Sequence, residues 1–192
     1  SMLTVLVIDE SRSRAGEICA GLALAGYQVA AILAGSENLT AEVEKLQPDV
    51  ILIDTDSPSR DTLEHLAAMN KNMPRPVVIF TQEDGQATIR DAVKAGVSAY
   101  IVDGLDPKRI KPIVEVARAR FEDTQALRRE LDEVSQKLSD RKLVDKAKGV
   151  LMKARGIDED AAYHAMRKLA MERGQTMAKV ARDVIDMARV LL

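Results

Sequence analysis

Leu3-Thr4-Val5-Leu6-Val7-Ile8-Asp9-Glu10 decides the fold: a short, almost continuous apolar run ends abruptly in two carboxylates. Strands covered by helices on both faces of a sheet read as continuous rather than alternating apolar sequence. The same signature returns at Val29 to Leu33, Val50 to Ile53, Val77 to Phe80 and Ala99 to Val102, with helix-length segments between. Five such runs, the last closing before about Phe121, predict a doubly wound parallel sheet. Ligands of such sheets gather beyond the carboxyl ends of the strands. Those ends carry Asp9, Glu10, Asp54, Thr81 and Asp103, which are the candidate site residues of this half.

A chain of 192 residues is comfortable for two modules. The net charge of -2 hides a division: residues 141–192 hold 12 Lys/Arg against 7 Asp/Glu, leaving 16 of the 28 bases and 23 of the 30 acids before them. An acidic body with a basic tail points to a polyanionic partner, because basic surface attracts phosphate backbones irrespective of sequence. Cys19 is the only cysteine, so no intrachain disulfide is possible, and its apolar setting reads as a buried structural thiol. No apolar run reaches the ~18 residues of a membrane helix and no export signal opens the chain, so a cytoplasmic protein without membrane partners is expected. Nothing in the sequence has the Ser-His-Asp or Cys-His pattern, the glycine-rich phosphate loop or the zinc spacing of an enzyme.

Beyond the sheet, Asp106-Pro107 opens a helix with a capping carboxylate and a proline at the first helical position, and Pro112 predicts an irregular first turn. Leu127, Leu131, Val134 and Leu138 then recur at coiled-coil spacing, giving a linker over 123–138 and an expected homodimer. The alternative is that this stripe lies against the chain's own C-terminal module. Over 139–192 the pattern predicts a three-helix bundle. Its first helix runs from Ser139 to Arg155 and stops at Gly156. Its second starts at Asp158, buries Ala161, Ala162, Ala165, Met166 and Leu169, and closes at Gly174. Its third is capped by Thr176 and turns Met177, Val180, Ala181, Val184, Ile185 and Ala188 inward.

Both flanks of the first bundle helix are basic: Lys142, Lys146 and Lys153 lie on one side, Arg141, Lys148 and Arg155 on the other. Gly149 sits among the first set, and since glycine in a helix interior costs roughly 1 kcal/mol relative to alanine, another backbone is expected to approach there. Lys146, Lys148, Gly149 and Lys153, with Thr176, Lys179 and Arg182 near the start of the third helix, are the candidate nucleic-acid contacts. Tyr163 is the one aromatic of the module, which limits base stacking. His65 and His164 carry no evident role.

The strand-end residues resemble a response-regulator receiver domain of flavodoxin-like fold over residues 2–122. Val7-Ile8-Asp9-Glu10 matches its acidic pair, Asp54 its phosphoacceptor, Pro58 the proline after it, Thr81 its hydroxyl and Tyr100 its switch aromatic. The resemblance implies Mg²⁺ at Asp9, Glu10 and Asp54. Asp103-Gly104 replaces the family's Lys-Pro, so the cation that would offset phosphoryl charge is gone, and Lys108 is its nearest substitute. Added carboxylates in one cleft disfavour each other's ionised form. A pseudo-receiver follows, requiring no cofactor and governed by a partner protein more than by aspartyl phosphorylation.

Ala147-Lys148-Gly149-Val150-Leu151-Met152, Gly156-Ile157-Asp158-Glu159-Asp160-Ala161 and Val180-Ala181 resemble an ANTAR domain over 139–192. That family binds paired RNA hairpins in nascent transcripts and prevents a terminator from forming. Receiver, coiled coil and ANTAR in this order resemble antiterminators of nutrient-utilisation operons. Asp103-Gly104 is similar to the nitrate/nitrite-assimilation branch, whose members an inhibitory sensor protein restrains. The rival reading is a phosphorylation-controlled, DNA-binding response regulator, with a helix-turn-helix joined by Gly174-Gln175.

Overall fold

The computed structural model describes residues 2–11 and 14–191, which form two compact units, 1–125 and 126–192. In the first unit β1 (Thr4–Asp9), β2 (Gln28–Leu33), β3 (Val50–Asp54), β4 (Val77–Thr81) and β5 (Ala99–Val102) form one parallel sheet in the order β2-β1-β3-β4-β5. Four helices alternate with them: α1 (Ala15–Leu24), α2 (Leu39–Leu46), α3 (Arg60–Asn72) and α4 (Gln86–Lys94). The strand order reverses between β1 and β3, and the register pairs Asp9 with Asp54 at that switch point. Two carboxylates thus meet where doubly wound sheets bind their ligands.

Strand side chains alternate between faces, so the sheet divides its apolar residues between two cores. Leu6, Ile8, Ile51, Ile53, Val77 and Ile79 join α2, α3 and α4 on one side. Val5, Val7, Val50, Leu52, Val78 and Phe80 join α1 and the start of α5 (Ile110–Arg155) on the other, through Ile18, Leu22, Ile110, Val114 and Ala117. Gly21 is what lets α1 approach: a Cβ there would collide with Ile110 and Pro107. Cys19 is half-buried rather than fully enclosed.

A 3₁₀ turn, Pro107–Arg109, precedes α5, with Asp106 accepting from the Lys108 N–H at 3.0 Å. Pro112 lies in the first turn of α5, where backbone N–H groups lack intrahelical partners and a missing donor costs nothing. The helix does not break near Ser139 as expected. Neither glycine nor proline occurs between Pro112 and Gly149, so linker and first bundle helix are one element of 46 residues. Along it Leu127, Leu131, Val134 and Leu138 are 55–70% exposed, so the stripe is not laid against the chain's own bundle. Among the described residues no helix is long and apolar enough to cross a membrane.

In the second unit the end of α5 packs with α6 (Glu159–Arg173) and α7 (Met177–Leu191) around Ala147, Met166, Ala170, Val180, Ala181 and Ile185. Asp158 caps α6, accepting from Ala161 N–H at 2.8 Å, and Gly174 ends it in the left-handed conformation at φ 61°. The inward face of α6 runs through Ala162, Met166 and Ala170 at i, i+4 spacing, whereas the expected Ala161 and Ala165 are exposed.

Candidate functional site

At the switch point Asp54 is fully buried, yet both of its oxygens are occupied. Arg14, the residue immediately before α1, places Nη2 2.8 Å from Oδ1. The Ser11 hydroxyl lies 2.8 Å from Oδ2 and 3.0 Å from Asp9 Oδ1, so its single proton is shared between the two acids. A buried carboxylate demands a charge partner. Here the chain supplies one from the loop that follows its own acidic pair.

Glu10 does not join them. Thr55 Oγ1 donates to its Oε2 at 3.0 Å and Thr62 Oγ1 to its Oε1 at 2.8 Å, holding the carboxylate toward α3. Thr62 also receives hydrogen bonds from Ser59 at 3.0 Å and Ser36 at 3.5 Å, and Ser36 in turn meets His65 Nδ1 at 2.8 Å. His65 therefore ends a polar chain leading from Glu10 rather than standing alone. The receiver family typically binds Mg²⁺ in this pocket, but Asp9, Glu10 and Asp54 do not converge as a donor set. Among the described residues no three acids, histidines or cysteines gather closely enough to hold a metal. The guanidinium occupies the charge that a cation would neutralise.

Thr81 spends its proton on the Asp56 carbonyl at 3.0 Å and accepts from Glu83 N–H at 3.2 Å. Tyr100 donates to the Glu83 carbonyl at 2.9 Å, and burial, followed by the charge of Glu83, pushes its hydroxyl pKa up. Both are thus tied to one loop after β4. Asp103 was expected to crowd the pocket; instead it is exposed, in the left-handed region at φ 55°, and among the described residues it joins no metal-holding group of acids. Asp tolerates that conformation better than most residues. Lys108 is exposed on the 3₁₀ turn, and Arg14 fills the role that sequence reasoning offered it. Arg14 and Ser11 were missed because loop residues have no periodicity; the available signal was a basic, serine-rich stretch directly after Asp9-Glu10.

In the second unit the candidate contacts divide. Lys146, Lys153 and Arg182 are exposed, and no ion pair engages them among the described residues. Lys179 pairs with Asp183 at 2.8 Å, and the Thr176 hydroxyl caps α7 by accepting from Lys179 N–H at 3.1 Å. Lys148 is only 14% exposed and bridges Glu159 on α6 at 2.8 Å and Asp145 on its own helix at 3.1 Å. Hydrogen bonds to Glu159, then Asp145, raise its pKa above the usual 10.5. Its charge is already met, unlike that of its neighbours. Gly149 has no close neighbour at all: an added Cβ would meet nothing within 4 Å, so the expected backbone approach is not made by this unit. Gly149 borders an open cleft of about 550 Å³ beside Lys148, Met152, Tyr163 and Met177.

Comparison with known proteins fits both geometries. Residues 5–115 match the response regulator receiver domain family. The chain belongs to that family. Residues 132–185 match the ANTAR domain family, so receiver and ANTAR modules occur together and the protein is a regulator rather than an enzyme. The receiver fold is shared with a CheY-like receiver domain protein from Methanospirillum hungatei JF-1, at a TM-score of 0.56 and 20% identity, covering 65% of this chain and 99% of that one. The transcriptional regulatory protein PdtaR of Mycobacterium tuberculosis is 29% identical over 161 residues, 84% of this chain and 78% of that protein. The nitrate regulatory protein of Klebsiella oxytoca is 36% identical over 75 residues, 39% of this chain but 19% of its own length.

Proposed function

We propose that this receiver–ANTAR protein is an RNA-binding antitermination regulator whose receiver takes its signal from a protein partner more than from aspartyl phosphorylation. The ANTAR match over 132–185 carries the output half, on a bundle that leaves Lys146, Lys153 and Arg182 exposed for phosphates. The Arg14–Asp54 pair carries the control half: a fully buried acceptor already neutralised by its own chain is a poor recipient for a dianionic phosphoryl group. No resident cofactor is needed for either step. A leader transcript of a nitrate or nitrite assimilation operon is the favoured target, supported by likeness to the Klebsiella oxytoca nitrate regulatory protein. An inhibitory sensor protein is the favoured partner.

The active form is a homodimer paired along Leu127, Leu131, Val134 and Leu138, whose exposure leaves a seam to cover. Light scattering tests this: wild type should double in mass with concentration while Leu131→Asp stays monomeric, and equal masses would remove the seam from the account. The output half is tested with a two-hairpin RNA selected on the wild-type chain from a pool randomised in the loops, against the matching DNA duplex. RNA should bind more tightly, with log affinity falling linearly in log salt. Equal or tighter duplex binding would transfer the bundle to the helix-turn-helix reading.

A further inference from the structure

Among the described residues three glycines lie in helices, Gly16 in the first turn of α1 and Gly21 and Gly149 in helix interiors, and of the two interior ones only Gly21 has a structural reason. Gly21 stands where a Cβ would strike Ile110 and Pro107; Gly149, two turns before the end of α5, faces empty space. Alanine at 149 would favour the helix, so the fold alone gives no reason for glycine. What lies over it is the cleft. Its walls are Met152 and Met177, soft and polarisable surfaces, and Tyr163, the bundle's one aromatic, 39% exposed. The Tyr163 ring is fixed on two sides, with Lys148 Nζ 6.0 Å from its centroid and His164 edge-on at 6.2 Å.

The charges of the cleft select its occupant. Lys148 is held between Asp145 and Glu159, whose carboxylates are 59% and 68% exposed and keep accepting capacity at the rim. Arg141 lines the same cleft, so its two cations and two carboxylates sum to zero and give a phosphate no net attraction. The carboxylates suit a neutral planar ring carrying N–H donors on its edge. Lys146 and Lys153, which make no ion pair among the described residues, lie three and four residues from Gly149 and so share its strip of helix surface.

Resting on the RNA reading above, we propose that this cleft seats one unpaired base of the hairpin loop. The base stacks on Tyr163, its amino edge donates to Asp145 or Glu159, and the flanking phosphates lie along Lys146 and Lys153. Gly149 is the smooth floor that admits the ring.

The test uses the full chain and the loop-selected two-hairpin RNA. Gly149→Ala should leave the urea midpoint unchanged or raise it while weakening RNA binding about tenfold or more. Tyr163→Ala should lose a similar factor, in keeping with the loss of one base–aromatic stack, and Tyr163→Phe should retain wild-type affinity. The salt slope separates a base from a phosphate: these variants should keep it, whereas Lys146→Ala should lower it by about one ion. An abasic nucleotide at one loop position should reproduce the Tyr163→Ala loss and add nothing to it. Wild-type affinity in both Gly149→Ala and Tyr163→Ala overturns the cleft proposal while leaving RNA binding intact. Failure of wild type to select or bind any hairpin RNA removes the RNA reading, and the proposal with it.

Discussion

The receiver pocket ties Arg14 to the carboxylate of Asp54 and the bundle cleft ties Lys148 to those of Asp145 and Glu159, yet depth makes them opposite kinds of site. Asp54 is completely covered and Arg14 is 24% exposed, so their contact replaces water on the carboxylate. Lys148 is 14% exposed, but its partners Asp145 and Glu159 are mostly in solvent. A buried pair is costly to break because the remaining charge has nowhere to go. A shallow pair is worth little, since water substitutes for either member. The first arrangement closes a site, whereas the second leaves groups that a ligand can re-pair.

The sharpest way to break this comparison is to remove each cation in turn. Arg14→Ala should destabilise the receiver unit by about 3 kcal/mol, the low end for stripping a buried pair because the guanidinium is partly wet. Asp54→Asn should cost less than Arg14→Ala, since a partly exposed guanidinium can rehydrate while a buried carboxylate cannot. Urea unfolding of the full chain measures both. Equal, sub-kilocalorie losses would mean that Arg14 does not neutralise Asp54 in solution.

A smaller effect concerns phosphoryl chemistry. With Mg²⁺ and acetyl phosphate, neither wild type nor Asp103→Lys should acquire stoichiometric label at Asp54, because an exposed residue at the end of β5 leaves the guanidinium in place. Arg14→Ala combined with Asp103→Lys should label measurably more than either single variant. Stoichiometric labelling of wild type that also tightens RNA binding would return control to phosphorylation.

How far the sequence revealed these sites depended on which physical signal each residue leaves. All five strands were legible from their uninterrupted apolar runs; in β1, β3 and β4 burial on two faces writes itself into consecutive residues, whereas the edge strands β2 and β5 carry such runs with no residue fully buried. The Asp9–Asp54 juxtaposition followed from strand order. The direction of Glu10 did not, since Thr55 and Thr62, which turn it away, lie 45 and 52 residues further along the chain. In the bundle, caps at Asp158 and Thr176 and the stop at Gly174 were readable from local chemistry. The phase of α6 was not: Ala161, Ala162 and Ala165 offer similar apolarity on adjacent faces, and only packing with Ala147 and Val180 selects Met166 and Ala170, which continue the face of the buried Ala162. Gly149 was recognised as anomalous without its reason, because the sequence does not say whether empty space or another backbone faces it.

The smallest expected effect belongs to the shallow pair and appears only at alkaline pH. Lys148 has a folded-state pKa above 10.5, through its hydrogen bonds to Glu159 and Asp145. A group whose pKa is raised by folding contributes stability that is fully present below its unfolded pKa and is lost as pH rises through the folded value. Wild type and Lys148→Met should therefore differ by a constant, small margin in urea midpoint from neutral pH to about 10, then converge above 10.5 as the ammonium loses its proton. A difference that disappears already between pH 7 and 9 would show that the Asp145–Lys148–Glu159 bridge is not formed in solution. The cleft would then present an ammonium free to hold phosphate, and its contrast with the closed Asp54 pocket would become one of charge sign rather than of depth.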